Sequence, residues 1–372
     1  MCRAPARRGG RTSGAPVSQA AEAVNPVQPP EAQEAAAILA RTRTAVDPVL
    51  RRAVEGLPGS LRRVALYHFG WEHADGTPAV GHAGKAVRPA LVLAAARAVG
   101  GRARQAVPAA AAVELTHNFS LLHDDVMDRD ATRRHRPTAW AVFGDADAIL
   151  TGDALQAQAQ RLLVEDGHPA APAAMARLAS CVVELCAGQA ADVALERRDP
   201  AETSLPETLA MAEAKTGALL GCACALGGLY AGAGEEEVAA LDAFGRAAGL
   251  AFQLIDDVIG IWGDPVRTGK PAGADLVVRK KSLPVVAALA SGGAAAEELA
   301  ARYGPPGPGE EGAADIEAIA LAVERAGGRD WAQAQAADQM ARALAELQRA
   351  VPVPEVAGGL LSLAEFVTRR ER

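Results

Sequence analysis

Aromatic side chains are scarce: six Phe, three Tyr and four Trp make up 3% of the chain. A sheet-rich sandwich core draws heavily on aromatic and β-branched residues, whereas an alanine-rich chain favours closely packed helices. Cysteine is also sparse. The five cysteines (Cys2, Cys181, Cys186, Cys222 and Cys224) are odd in number and include no CxxC pair. That excludes a disulfide framework or a thiolate zinc site and fits small buried thiols in a reducing, cytoplasmic compartment. Excess positive charge is missing as well: the formal net charge of −7 gives no general affinity for nucleic acid. The basic N-terminal stretch "MCRAPARRGGRTSGAPVSQA" is not followed by an apolar h-region, so no secretory signal is expected. The one long uncharged run, "TGALLGCACALGGLYAGAG" at residues 216–234, is mostly Ala and Gly. Its transfer into lipid would be weakly favourable, so it is expected to be a buried helix with close neighbours.

What is present is a globular composition, 50% hydrophobic and 22% charged. At 372 residues the chain is long enough for two domains or one large one. Residues 1–33 are rich in Pro, Gly, Ala, Gln and Arg with no apolar period, and are expected to form a disordered tail, either dispensable or a docking peptide. From residue 34 to 372 helical patterns follow one another. "AAAILARTRTAVDPVLRRAV" spaces Ile38, Leu39, Val46 and Leu50 at helical intervals, and "RPALVLAAARAVG" and "AVPAAAAVELTHNFSLLHDDVMD" continue, with proline near each helix start. Loops fall at "GWEHADGTPAVGHAGK", "ERRDPAETSLPET" and "YGPPGPGEEGAAD". No repeat is evident. The expected fold is one all-α domain behind a tail.

"LLHDDVMDRDATRRHRPT", residues 121–138, places Asp124 and Asp128 four apart on one helix face, with Asp125 rotated by about 100°. Two carboxylates on one stripe repel, and no cation at i±4 relieves them. The spacing suits magnesium, which takes one or two carboxylates and completes its octahedron with water and phosphate oxygens. Alone the pattern is weak. A second apolar stretch, "AFQLIDDVIGIWGD", carries Asp256 and Asp257. Two inward-facing acidic pairs in one bundle would gather a charge of about −4 to −5 and require divalent cations.

Cations accompany the acids, each beside a residue that interrupts helix: Lys85 and Arg88 in "GKAVRP", Arg133 and Arg134 after the first acidic pair, Lys215 in "KTG", Lys270 in "TGK", and Lys280 and Lys281 in "RKKSLP". His117 lies about two turns before Asp124 on the same helix. Together with two metal sites, these residues describe pockets for phosphorylated substrates.

As a set, "GKAVRP", "LLHDDVMDRDATRRHRPT", "KTG", "FQLIDDVIG", "TGKPAGADL" and "KKSLP" resemble the trans-prenyl diphosphate synthases, the polyprenyl synthetase family, in order and approximate spacing over residues 84–284. The resemblance implies a single large all-α bundle around a central cavity, of the isoprenoid synthase type. It implies condensation of isopentenyl diphosphate with an allylic diphosphate (dimethylallyl, geranyl or farnesyl), using about three Mg²⁺ per active site. Asp124, Asp125 and Asp128 are then the first aspartate-rich motif and Asp256 and Asp257 the second, all five holding metal. Lys85, Arg88, His117 and Arg134 resemble the isopentenyl diphosphate pocket. Arg133, Lys215, Lys270 and Lys280 resemble contacts to the allylic diphosphate, and Thr216 and Gln253 the groups that stabilise a carbocation. A homodimer without a membrane span is implied too.

One departure stands out. The family's second motif usually ends in a third Asp, and here that place is Gly260, with Asp264 a further turn away. Product length is expected to depend on the wall below Asp124. Ser120 and Val113 lie nearly on that stripe. Phe119 resembles the bulky floor residue of short-chain members such as farnesyl and geranylgeranyl diphosphate synthases. A C15 to C20 product is expected, and Phe119→Ala is expected to lengthen it. Two rivals remain at this stage. A class I terpene cyclase would carry (N/D)DxxSxxxE, and "DDVIGIWGD" lacks its Ser and Glu. A non-catalytic regulatory subunit would lack aspartates that are present here.

Overall fold

The computed structural model describes residues 30–79, 84–264, 272–303 and 313–368. In chain order the helices are α1 (Pro30–Glu55), α2 (Gly59–His68), α3 (Val87–Ala98), α4 (Val107–Met127), α5 (Ala139–Phe143), α6 (Asp145–Glu165), α7 (Ala171–Arg197), α8 (Leu205–Ala212), α9 (Ala218–Ala231), α10 (Glu235–Trp262), α11 (Ala274–Val277), α12 (Leu283–Ala290), α13 (Gly293–Arg302), α14 (Ala313–Arg325), α15 (Gly328–Ala350) and α16 (Pro354–Thr368). The all-α expectation holds. Helix α1 starts at Pro30, so the boundary read at residue 34 falls within its first turns, and the rest of the tail lies outside the described residues.

Small residues set the helix spacing. A side chain at Gly227 would come within 2.8 Å of Ala95 Cβ and 3.0 Å of the Ala96 nitrogen, so α9 and α3 meet backbone to backbone. This close approach replaces the volume that aromatics would otherwise fill. The uncharged run forms most of α9, buried on nearly every side against α3, α7 and α10. By length and composition three segments could cross a membrane: Ala171–Glu196, Leu205–Ala231 and Glu235–Trp262. The last two bury 67% and 61% of their apolar window inside the protein; the first buries only 39%.

Three hydrophobic clusters pack along α10, one of them joining Leu250, Leu254 and Val258 to Leu283 and Ala332. The main core runs through α1, α3, α4, α6, α7, α9 and the first turns of α10. A smaller satellite joins Ile261, Leu276, Val285, Leu299, Tyr303, Ile319 and Val323. Among the described residues the only paired strands are two short ones the sequence did not suggest, β1 (Thr132–Arg133) and β2 (Arg136–Pro137), antiparallel with Arg133 opposite Arg136.

Candidate active site

One stripe of α4 builds the first wall. His117, Ser120, Leu121, Asp124 and Asp128 recur at helical intervals, and all five line a cavity of about 650 Å³. Asp256, Asp257 and Gln253 on α10 line the same cavity from another side. The two acidic pairs therefore face a common space. Asp124 sits deep enough that burial raises its carboxyl to about 6, against the opposing pull of Lys215. Burial also raises Asp128, again with Lys215 opposing.

Asp125 departs from the expectation. Rotated off the stripe, it is 2% exposed and accepts a hydrogen bond from Arg133 Nε at 2.7 Å. It is absent from the cavity lining, and its Oδ1 engages Arg133. Arg133 and Arg134 owe their placement to the small hairpin. Its two central residues, Arg134 (φ 53) and His135 (φ 61), both adopt left-handed backbone, as the tightest hairpin turn demands. Each such non-glycine residue costs of order 1 kcal/mol or more. The hairpin is clamped to α2. Tyr67 donates its hydroxyl to the Pro137 carbonyl at 2.8 Å, and the Arg136 guanidinium stacks over the Tyr67 ring at 4.5 Å.

The cationic end converges from four elements. Arg88 Nη1 lies 3.1 Å from His117 Nε2. Burial, then Arg88 and Arg134, hold His117 well below its ordinary range, so the ring is neutral and accepts from Arg88. Glu114, one turn before, is buried between Arg88 and Arg134, and burial raises its carboxyl while both arginines oppose. Gly84 has φ 143, and a side chain there would meet the Arg134 guanidinium, 2.6 Å from Nη2. Lys85 Nζ lies 5.1 Å over the ring of Phe366, a cavity-lining residue of α16.

The opposite wall is held by a relay. Residues Glu213–Gly217 form a π turn between α8 and α9. Lys215 Nζ meets Asp192 Oδ2 at 2.5 Å. Thr216 donates to Gln253 Oε1 at 2.8 Å, Gln253 Nε2 donates to Asp257 Oδ1 at 2.9 Å, and Asp257 Oδ2 accepts from the Leu283 N–H at 3.0 Å. Lys280 Nζ lies 3.7 Å from Asp257 Oδ1, and its carboxylate neighbours raise it despite burial. Asp257 thus spends both oxygens on protein donors, one of them the first N–H of α12.

Of the expected residues, Lys85, Arg88, His117, Ser120, Asp124, Asp128, Arg133, Arg134, Lys215, Thr216, Gln253, Asp256, Asp257 and Lys280 line the cavity. Lys270 lies outside the described residues. Phe119 is in the main core, its ring edge-on to His123 at 4.8 Å, and neither it nor Val113 lines the cavity. An α-helix sends position 119 away from the Asp124 stripe, toward α6. Sequence reading missed Asp192 and Glu114; Lys281, named there only as a further cation, is buried and lines the cavity, its Nζ donating to the Glu196 carbonyl at 2.9 Å. A lone acid inside an alanine-rich apolar helix was the available signal for the first two.

Among the described residues no group of three or more His, Cys, Asp or Glu stands close enough to chelate a metal alone. Separated carboxylates around a large cavity suit magnesium, which leaves most of its shell to water and phosphate oxygens.

An all-helical bundle with paired acids facing a basic pocket defines a class of isoprenoid synthase. Comparison with known proteins narrows this. The polyprenyl synthetase family model matches residues 77–320. The chain is similar to a geranylgeranyl diphosphate synthase of Mycobacterium tuberculosis, 49% identical over 336 residues, covering 90% of this chain and 94% of the relative. It is similar to a (2E,6E)-farnesyl diphosphate synthase of the same organism, 44% identical over 337 residues, covering 90% and 93%. Its fold matches the crystal structure of a polyprenyl synthetase from Streptomyces coelicolor with a TM-score of 0.84 at 47% identity, covering 89% and 98%. The chain belongs to the polyprenyl synthetase family.

Proposed function

We propose that the protein is a magnesium-dependent trans-prenyltransferase that condenses isopentenyl diphosphate with an allylic diphosphate to give a short-chain product of C15 to C20. The observation that carries this reading is the single cavity with Asp124, Asp128 and Asp256 at one end and Lys85, Arg88 and Arg134 at the other. Asp124 and Asp128 from α4 and Asp256 from α10 would hold about three Mg²⁺. Bound there, the metal supplies Lewis-acid neutralisation of the charge that develops on the leaving diphosphate.

The chain's own residues do the rest. Lys215, steered by Asp192, and Lys280, steered by Asp257, bind the allylic diphosphate as point charges. As the allylic C–O bond breaks, the electron pair leaves with the diphosphate. Thr216 donates its hydroxyl hydrogen bond to Gln253, which leaves its oxygen lone pairs, with the carbonyls of the π turn, for the developing cation. Arg88, Arg134 and Lys85 hold the second diphosphate so that its double bond attacks the cation carbon. The new C–C bond leaves positive charge one carbon along, and loss of a proton to the departed diphosphate restores a double bond. Holding two oriented reactants can contribute about 7 to 11 kcal/mol in ideal cases.

The apolar reach of the cavity is bounded by Ser120, Leu121, Met211, Leu220 and Phe252. Ser120 limits chain growth directly in this reading, and the Phe119 ring does so from behind, by filling the α4–α6 seam. A homodimer is supported by the apolar residues left outward on α6 and α7: Leu150 is 54% exposed, Val164 69% and Val183 72%. Cytoplasmic placement completes the proposal. The test is direct: incubate the purified protein with Mg²⁺, labelled isopentenyl diphosphate and each of the dimethylallyl, geranyl and farnesyl primers. C15 or C20 diphosphates are expected; hydrocarbons alone would mean a cyclase, and no turnover a regulatory subunit.

A further inference from the structure

Helix α7 carries Glu184, Gly188 and Asp192 at intervals of four, on one stripe. All three address the π turn. Asp192 Oδ2 pairs with Lys215 Nζ at 2.5 Å. Glu184 accepts both Nη groups of Arg246 from α10, at 2.6 and 2.7 Å, and Arg246 Nη1 lies 3.8 Å from Glu213, the first residue of the turn. Between these two pairs, Gly188 meets the main chain of the turn. A Cβ on Gly188 would lie 2.5 Å from the Lys215 nitrogen and 2.9 Å from the Ala214 carbonyl carbon.

No rotamer change clears atoms of the main chain. Ordinary contact begins at 3.4 Å, so the turn itself would have to give way. Helix α10 stands behind it. A Cβ on Gly249 would lie 2.8 Å from Gly217 Cα, so α10 and the end of the turn also meet main chain to main chain. The turn needs a narrow seat because it is wide: the Ala218 N–H donates to the Glu213 carbonyl, closing a loop one residue longer than an α turn's.

We propose that Gly188 is a positioning residue for the allylic diphosphate. Its missing side chain seats the π turn so that Lys215 reaches the cavity, where Asp192, one turn along α7, holds the ammonium. Arg246 ties the outer side of the turn back to Glu184. This rests on the reading of Lys215 as a contact to the allylic diphosphate.

The experiment is calorimetric titration of the full-length protein in Mg²⁺. One ligand is a dimethylallyl diphosphate analogue whose bridging oxygen is sulfur, which binds without reacting; the other is isopentenyl diphosphate. Lys215→Ala calibrates the subsite: if it leaves analogue affinity unchanged, the reading of Lys215 fails, whatever Gly188 does. With that control behaving, Gly188→Ala is expected to weaken the analogue on the order of tenfold, within the cost of misplacing a positioned group by about 1 Å. Isopentenyl diphosphate, assigned to Lys85, Arg88 and Arg134 on other elements, is expected to bind as before. Gly227→Ala places a comparable clash against the Val92 carbonyl in the α9–α3 seam. It is expected to lower the melting temperature and spare the analogue. The proposal is overturned if a folded Gly188→Ala protein binds the analogue like the unmodified one. It is overturned equally if Gly188→Ala and Gly227→Ala weaken the analogue alike, which would mark a general loosening of the bundle. Should Gly188→Ala not fold, Arg246→Gln decides, since it removes the outer tie without adding bulk. Weaker binding of the analogue alone then supports the proposal, and any other result overturns it.

Discussion

The two acidic walls of this cavity are built on different plans. The first is local. Its carboxylates, the arginine that engages Asp125 and the hairpin that aims Arg133 and Arg134 all come from residues 124–136, on a helix seated in the main core. The second is assembled. Asp256 and Asp257 come from α10, the N–H that anchors Asp257 from Leu283, and the lysine from position 280. A site encoded in one stretch depends on helix geometry. A site encoded in several depends on the satellite core that carries them, so damage to its packing reaches its chemistry.

The contrast is sharpest for the ligands themselves. Asp124→Asn or Asp128→Asn is expected to lower kcat by about a thousandfold or more, as removal of a main electrostatic element does, with the melting temperature unchanged. Asp257→Asn is expected to lower both, because its two oxygens tie Gln253 and the Leu283 N–H together. Equal melting temperatures for the Asp128 and Asp257 variants would erase the distinction between the two walls.

Next in size is Arg133→Ala, which strands the buried Asp125 carboxylate. Leaving a buried charge unpaired costs about 3 to 5 kcal/mol, to be read from urea unfolding midpoints. Adding Asp125→Asn should restore much of that loss; additive losses would mean that the pair is not coupled. Thr216→Val removes the first link of the relay and leaves Gln253 Oε1 without its donor. The unsatisfied group costs about 1 to 3 kcal/mol, and kcat is expected to fall with KM for both diphosphates little changed. A KM-dominated effect in steady-state kinetics would argue that Thr216 acts in binding.

For chain length, Ser120→Phe is expected to shorten the product. Phe119→Ala is expected to lengthen it while destabilising the fold by about 3 to 5 kcal/mol through the cavity left behind. Chromatography of the products, run beside thermal melts, separates the two positions. An unlengthened product from a folded Phe119→Ala protein would confine control to the cavity wall.

The smallest expected effect concerns pH. His68 Nε2 donates to Asn118 Oδ1 at 3.0 Å beside the first wall, and burial, then Arg134 and Arg133, lower it from 6.5 to about 3. The unfolded chain takes up this proton near 6.5 and the folded chain resists it. The stabilisation is therefore full above pH 6.5 and is lost progressively as pH falls toward 3. His68→Gln should flatten that part of the urea-midpoint profile, and an unchanged slope would assign it to other groups.

Much of the first wall was legible because a helix converts spacing into direction: positions 117, 120, 121, 124 and 128 fall on one stripe in any α-helix. The same rule placed Phe119 off the stripe, where the structure has it. Asp125 was harder to read, since whether an off-stripe acid finds a cation depends on a hairpin whose turn needs two left-handed non-glycine residues. Glu114 and Asp192 carried only the faint mark of single charges in apolar helices. Their meaning came from partners far away in the chain, Arg88 for one and Lys215 for the other.

By itself the sequence determined that this chain is helical, that its helices pack closely through Ala and Gly, and that acids and bases alternate along it in a family-specific order. These properties are local, set by side-chain size, periodicity and adjacent charge. Only the tertiary structure decided that both acidic pairs face one cavity and that Asp257 is an anchor. Such facts depend on which distant elements the packed cores bring within contact, and no local rule of spacing contains them.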